Sequence, residues 1–242
     1  MGGAVKGSGH RPARGSTEER RQYRSAVRAE GARRTRQAVV TAATELFLER
    51  GYQATSLADV AARAEVARPT VVTAFGSKPA LLKQVLDEAL AGDDQPIPVR
   101  DRPWFAPVWQ ARTARATLAA YAEVCVLIAA RAGRVVEVVR RASDSSPQIA
   151  DLWQTWLSGR RAGADMVVQR PVVTAALHAD LTPRTAGDIL WTLNNPDLHT
   201  GLVAQQHWKP NRYRDWLADA MARLLLDPTK ADLPDPRQRP GS

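Results

Sequence analysis

With 242 residues, 44% of them hydrophobic, and a formal net charge of +9, the chain is long enough for one large domain or for a small domain beside a larger one. Its one cysteine, Cys125, excludes an internal disulfide and a cysteine-based zinc cluster, and no window approaches the ~18 consecutive apolar residues of a membrane span. The charge is uneven: residues 1–40 hold ten Lys or Arg against three Glu, which leaves +2 for the remainder.

A positive field of that density favours phosphate backbones or anionic lipid headgroups, or it serves only as a solvating tail. The first 30 residues are basic but lack the apolar stretch of a secretory signal, so the expectation is a cytoplasmic protein without membrane association. Residues 1–32 read as a basic, largely disordered arm. Within it the run from Ser16 is compatible with a helix, with Ser16 as N-cap and Glu19 as its reciprocal partner. Gly31 is expected to interrupt that helix.

From Arg33 to Arg50 the apolar residues Val39, Val40, Ala43, Leu46 and Phe47 recur at helical spacing, and Gly51 is placed to close the helix in a left-handed conformation. Ser56 then caps a short helix with Asp59 in the capping-box position and Leu57, Val60, Ala61 and Ala64 as its inner stripe. A third helix from about Arg68 buries Val71 and Phe75, with Pro69 tolerated in the first turn. Ser77 caps a fourth whose Leu81, Leu82, Val85 and Leu86 face inward. Residues 33–91 thus form one compact helical unit.

The segment "GDDQPIPVRDRP" reads as a linker or crossover. Beyond it, helices are expected over about Thr113 to Ala132, Arg134 to Ala142, Ser146 to Gln169, Pro183 to Asn194, Pro196 to His207 and Asn211 to Leu226. Residues 103–227 form the larger unit and residues 228–242 a Pro-rich, disordered tail. No segment sustains strict alternation, so the expected fold is all-α.

Two short helices joined by the tight turn "EVA" and flanked by two longer ones have the form of a helix-turn-helix, in which the second short helix enters the major groove. The stretch "AATELFLERGYQATSLADVAARAEVARPTVVTAFGSKPALL" resembles the DNA-binding domain of the TetR family of bacterial transcription regulators. The match runs over roughly residues 36 to 86, with Phe47, Gly51, Tyr52, Thr55, Leu57, Val60, Ala61, Ala64, Val66, Phe75, Lys78 and Leu81 at the family's positions.

The resemblance implies that Thr55 and Ser56, at the start of the bracing helix, contact phosphate, as a positive helix N-terminus favours. Lys78 clamps a second phosphate. Ala67, Arg68, Thr70, Val72 and Thr73 are the candidate reading face: Arg pairs with guanine, Thr offers a hydroxyl and a methyl, and Val72 can touch a thymine methyl. Arg33, Arg34 and Arg36, with the arm before them, are candidates for minor-groove or flanking phosphate contacts. The chain departs from the family pattern at Glu65, Ala67, Pro69, Val72 and Ala74. The family usually has Gly where Glu65 stands, and ring-bearing residues at 72 and 74.

All seven tryptophans, Trp104, Trp109, Trp153, Trp156, Trp191, Trp208 and Trp216, lie in the C-terminal region. The resemblance makes that region a helical ligand-binding and dimerisation domain. Large apolar side chains there either pack the core or line a pocket. Trp109, Tyr121, Trp153 and Trp156 are the candidate pocket residues. The terminal segments 188–208 and 213–226 are the candidate pairing surface of a homodimer, and a symmetric dimer implies a palindromic operator in double-stranded DNA.

No nucleophile elbow, phosphate-binding glycine loop or His-Glu-x-x-His motif occurs, and the four histidines are scattered, so neither an enzyme, a metal site nor a cofactor is expected. The sequence-level reading is a ligand-responsive, sequence-specific DNA-binding transcriptional regulator, a repressor released by an unidentified small molecule. The alternative is a helical small-molecule or protein-binding module of the same architecture that has lost specific DNA readout.

Overall fold

The computed structural model describes residues 17–234, and the expected cap at Ser16 lies outside them. Within the described residues the fold is all-α, with only the isolated bridges Thr113 to Pro234 and Leu177 to Leu226. The helices are α1 (Thr17–Arg50), α2 (Leu57–Arg63), α3 (Arg68–Phe75), α4 (Lys78–Ala91), α5 (Ala106–Gln110), α6 (Ala114–Ala142), α7 (Pro147–Val168), α8 (Pro171–Thr174), α9 (Pro183–Leu193), α10 (Pro196–His199) and α11 (Pro210–Leu225). A π-helical turn, Thr200–Gln205, continues α10.

α1 runs through Gly31 without a break. A single helical Gly costs only about 1 kcal/mol relative to Ala, and the flanking Ala, Arg, Glu and Gln residues favour helix. The described part of the expected disordered arm is therefore helical, and residues 21–34 are exposed throughout. Residues 17–36 extend roughly 30 Å at the helical rise, ahead of the first fully buried side chain, Val39.

α6 likewise passes through Gly133, where two helices were expected, because its apolar residues keep one helical phase across the glycine. The C-terminal segment is also more ordered than its Pro content suggests. The Asp227 carbonyl accepts from the N–H groups of Lys230 and Ala231. Ala231 is fully buried, and Asp232 pairs with Arg115 at 3.1 Å. Residues 228–234 thus close over the start of α6.

The hydrophobic interior falls into two clusters, and their boundary does not follow the linker. Val39, Val40, Ala43, Leu46 and Phe47 of α1 pack with Val60, Val71, Phe75, Leu81, Leu82, Val85 and Leu86, and also with Ala132, Val135, Val136 and Val139 of α6 and Ile149, Leu152 and Trp156 of α7. The other cluster joins the first half of α6, from Ala114 to Val124, to the second half of α7 and to α8, α9 and α11. α6, roughly 43 Å long at 1.5 Å per residue, belongs to both.

Two arginines fasten the connections. Arg102, only 3% exposed, binds Asp93 at 2.6 Å and donates to the carbonyls of Ile97 and Gln95, which turns the linker into a folded strap. Arg170 donates to the carbonyls of Val108, Trp109 and Ala111 and to the Thr117 hydroxyl, locking α5 and the start of α6 onto α8.

Candidate functional site

In the N-terminal unit, α2 is held by a complete capping box. The Ser56 hydroxyl accepts from the Asp59 N–H at 3.1 Å, while the Asp59 carboxylate accepts from the Ser56 N–H at 2.8 Å. The Ser56 hydroxyl, which also donates to the Asp59 carboxylate at 2.6 Å, and then the Ser56 N–H hold that carboxyl below its usual range. The turn to α3 passes through Glu65 at φ +54°, a left-handed conformation that costs a non-glycine residue roughly 1–2 kcal/mol. This explains why glycine suits the position.

α3 then divides cleanly. Val71 is fully buried and Phe75 9% exposed, while Ala67, Arg68, Pro69, Thr70, Val72 and Thr73 are exposed. Arg68 has no carboxylate partner among the described residues. One helix face therefore carries a guanidinium, two hydroxyls and a branched apolar group outward, held by two apolar anchors.

Three of the other candidates serve differently from the sequence expectation. The Thr55 hydroxyl is buried and donates to the carbonyls of Gly51 at 2.9 Å and Leu46 at 3.3 Å. It fastens the turn after α1 and is not presented to a phosphate, because a hydroxyl sealed against carbonyls has no route to solvent. Arg36 donates to the Ala74 carbonyl at 2.8 Å and to Gln84 at 2.9 Å, with its guanidinium 4.3 Å from the Phe75 ring centroid. It braces α3 and α4 against α1, and those contacts occupy it. The Ser56 hydroxyl is engaged with Asp59, so what α2 offers an anion is its backbone.

Lys78 lies 4.1 Å over the Tyr52 ring and reaches the Gln53 carbonyl at 3.4 Å, and burial lowers its pKa. Arg33 pairs with Asp94 at 3.0 Å and Arg34 with Glu30 at 3.1 Å, both exposed. Such surface pairs are worth about 0–1 kcal/mol and exchange readily for another anion.

In the C-terminal region a cavity of about 620 Å³ opens between α4, the strap, α6 and α7, within the usual range for small-molecule sites. Leu86, Leu90, Phe105, Val124, Ile128, Leu152, Trp156 and Met166 give it apolar walls. Tyr121, Cys125, Asn194 and Arg160 add polar atoms. Asn194 donates to the Tyr121 hydroxyl at 2.9 Å and accepts from Arg160 at 2.7 Å, and Arg160 also donates to the Trp191 carbonyl at 2.7 Å. The Arg160 guanidinium lies 5.0 Å from the Trp156 ring and 5.1 Å from the Trp191 ring. Burial lowers the pKa of Arg160 and pushes the Cys125 thiol up to about 12, so Cys125 faces the cavity as an uncharged group.

Of the four candidate pocket residues, Tyr121 and Trp156 line the cavity. Trp153 stacks on Trp156, centroids 4.9 Å apart, and lines instead a larger cleft of about 1090 Å³ beside Arg50, Gly51 and Tyr52. Trp109 lies behind the wall: it packs on Phe105 at 5.1 Å, and its indole N–H donates to the Arg100 carbonyl at 2.8 Å. The ring's hydrogen bond to the strap fixes it there. Sequence reasoning passed over Arg160, Asn194 and Met166. The usable signal was Gly159 and Gly163, one helical turn apart beside Arg160, which leave a groove in α7.

Residues 39–85 match the family model of the bacterial regulatory proteins, tetR family. The HTH-type transcriptional repressor Rv3405c of Mycobacterium tuberculosis is 50% identical over 50 residues, 21% of this chain and 27% of that one, so the match spans about a quarter of the curated relative. Among solved structures, NalD of Pseudomonas aeruginosa, the secondary repressor of the MexAB-OprM multidrug efflux pump, is 21% identical over 82% of this chain and 99% of its own, with a TM-score of 0.62. The SmeT–triclosan complex is 18% identical over 86% and 99%, with a TM-score of 0.64. FadR of Bacillus subtilis in complex with stearoyl-CoA is 17% identical over 78% and 98%, with a TM-score of 0.61. The likeness in fold therefore extends well beyond the matched segment.

Proposed function

We propose that this chain, whose helix-turn-helix unit belongs to the TetR family, is a homodimeric, sequence-specific DNA-binding regulator that represses transcription until a small molecule enters its C-terminal cavity. The observation that carries this reading is the division of α3, with Val71 and Phe75 inward and Arg68, Thr70, Val72 and Thr73 outward. A guanidinium can pair with guanine O6 and N7, a threonine hydroxyl with any base edge, and Val72 with a thymine methyl. Lys78, the backbone at the start of α2 and the arginines of α1 supply sequence-independent phosphate attraction.

The effector's route to DNA lies in the shared helix. α6 contributes Tyr121, Cys125 and Ile128 to the cavity and Ala132, Val135, Val136 and Val139 to the core that seats α1 and α4. A ligand that fits one placement of α6 better than another shifts the populations of the two placements of the N-terminal unit, the headpiece of residues 33–91, by that difference in affinity. Two headpieces related by symmetry would then leave successive major grooves of a palindromic site. SmeT and FadR, solved with triclosan and stearoyl-CoA, supply precedents on this fold for small-molecule occupants. No described helix is long and apolar enough to cross a membrane, which suits action on DNA in the cytoplasm. The reading assigns the chain no catalytic step.

The alternative, a module without specific readout, is not favoured, since Val72 and Ala74 leave Arg68, Thr70 and Thr73 on the outward face. Footprinting of the DNA upstream of the protein's own gene tests the proposal: a protected palindrome that weakens with Thr70→Ala supports it. Weak, sequence-independent binding refutes it.

A further inference from the structure

Arg160 is unlike the other charged groups of the cavity. Four charged side chains line it: Lys83, Asp87, Arg100 and Arg160. Lys83 and Asp87 neutralise one another in an exposed i,i+4 pair, and Arg100 is 63% exposed beside Asp101 at 3.8 Å. Arg160 lies deeper, between the faces of Trp156 and Trp191. No carboxylate lies within 4.0 Å of it among the described residues. Asp197 acts on it only at longer range, from the cleft.

Its Nε and Nη2 atoms donate to Asn194 and to the Trp191 carbonyl, while Nη1 has no acceptor among the described residues. The Trp191 indole N–H is buried and also lacks one. At the cavity wall Nη1 thus awaits an acceptor atom, and no carboxylate pairs directly with its charge. Withdrawing a cation even partly from water without a paired anion is costly. Tyr121 and Cys125, both uncharged, add no negative charge to the site.

Resting on the reading of this cavity as the effector site, we propose that the effector is an anionic amphiphile, an apolar body bearing a carboxylate. Its body lies among Leu86, Phe105, Ile128 and Met166, and its carboxylate pairs with Arg160. Arg160, Trp156 and Pro196 also form the partition between cavity and cleft, being common to both linings. The anion therefore meets the wall that faces the end of α1.

The test uses three probes of equal chain length, decanoate, decan-1-ol and decylamine, titrated below their aggregation limits into the full chain. Calorimetry and tryptophan fluorescence report binding. Decanoate is expected to bind about ten-fold or more tightly than either analogue, as a charge-assisted hydrogen bond allows. Arg160→Met removes that preference while decan-1-ol binds as before, and Arg160→Lys, which keeps the charge, still prefers decanoate to decylamine. Should Arg160→Met lose its helical circular dichroism, Arg160→Gln carries the same comparison.

Equal binding of the three probes, no decanoate binding up to its aggregation limit, or an undiminished preference in the neutral variant overturns the proposal. Operator binding is measured separately. Decanoate bound without change in DNA affinity keeps the anion site and refutes the ligand response, whereas failure to bind an operator leaves the titration result standing.

Discussion

In α3 the side chains proposed to read DNA face solvent and the buried ones seat the helix; around the cavity most of the apolar lining residues are themselves part of the core. Arg68 and Thr70 can change without disturbing Val71 or Phe75, whereas Leu152 and Trp156 both line the cavity and pack against the headpiece. The difference teaches where affinity and stability are separable. On the outward face they are, and at Leu152 and Trp156 they are not.

The largest effect expected is on the shared core. Ile149 is fully buried in the cluster that holds α1 to α4, although it lies beyond residue 91. Ile149→Ala should cost about 2–5 kcal/mol in chemical denaturation and lower the hydrogen-exchange protection of α1 and α4. Protection lost only in α7 would break the claim that one core serves both regions.

Next comes the outward face. Arg68→Ala should weaken specific DNA binding by about 1–3 kcal/mol, with the denaturation midpoint unchanged. If the midpoint falls as well, the separation of affinity from stability fails.

Thr55→Val sharpens the comparison from inside the headpiece. Because its hydroxyl serves the Gly51 and Leu46 carbonyls, the substitution should cost about 1 kcal/mol of stability and leave the DNA affinity of the folded protein as it was. A loss of affinity in the folded variant would restore Thr55 as a phosphate ligand.

The smallest effect has the opposite sign. Glu65→Gly relieves the left-handed strain and should stabilise the chain by roughly 0.5–1 kcal/mol, the strain being partly offset by the entropy of glycine. Its removal of a negative charge beside α3 should tighten DNA binding most at low salt. An unchanged or lower midpoint would show that the turn is relaxed by some other contact.

The headpiece was legible because its determinants are local. A cap and its partner three residues on, a Pro in a first turn and apolar residues at helical spacing state α2, α3 and α4 within a few positions of one another. What misled was also local: Thr55 stands where a phosphate ligand belongs in the family pattern, yet whether its hydroxyl faces out depends on how α1 ends. Arg36 looked like part of a basic arm because its acceptors, Ala74 and Gln84, are far away in sequence.

The cavity was scarcely legible, since its walls come from α4, the strap, α6, α7 and the residues around α10. No spacing rule relates Leu86 to Asn194. Gly31 and Gly133 suggest breaks because glycine's low propensity is a local signal, whereas helix continuity here is decided over many neighbouring residues.

The common core also bears on exchanging parts between regulators. A chimera joined at the strap, residues 92–102, would transplant a headpiece stripped of Val135, Val136, Val139 and Ile149, which share its core. Compatible grafts must therefore carry the second half of α6 and the start of α7 with the headpiece. Within α6, the cavity-lining residues Tyr121, Val124, Cys125, Ile128 and Ala129 all precede the segment from Ala132 that packs with α1 and α4, so substitutions there leave that shared core in place.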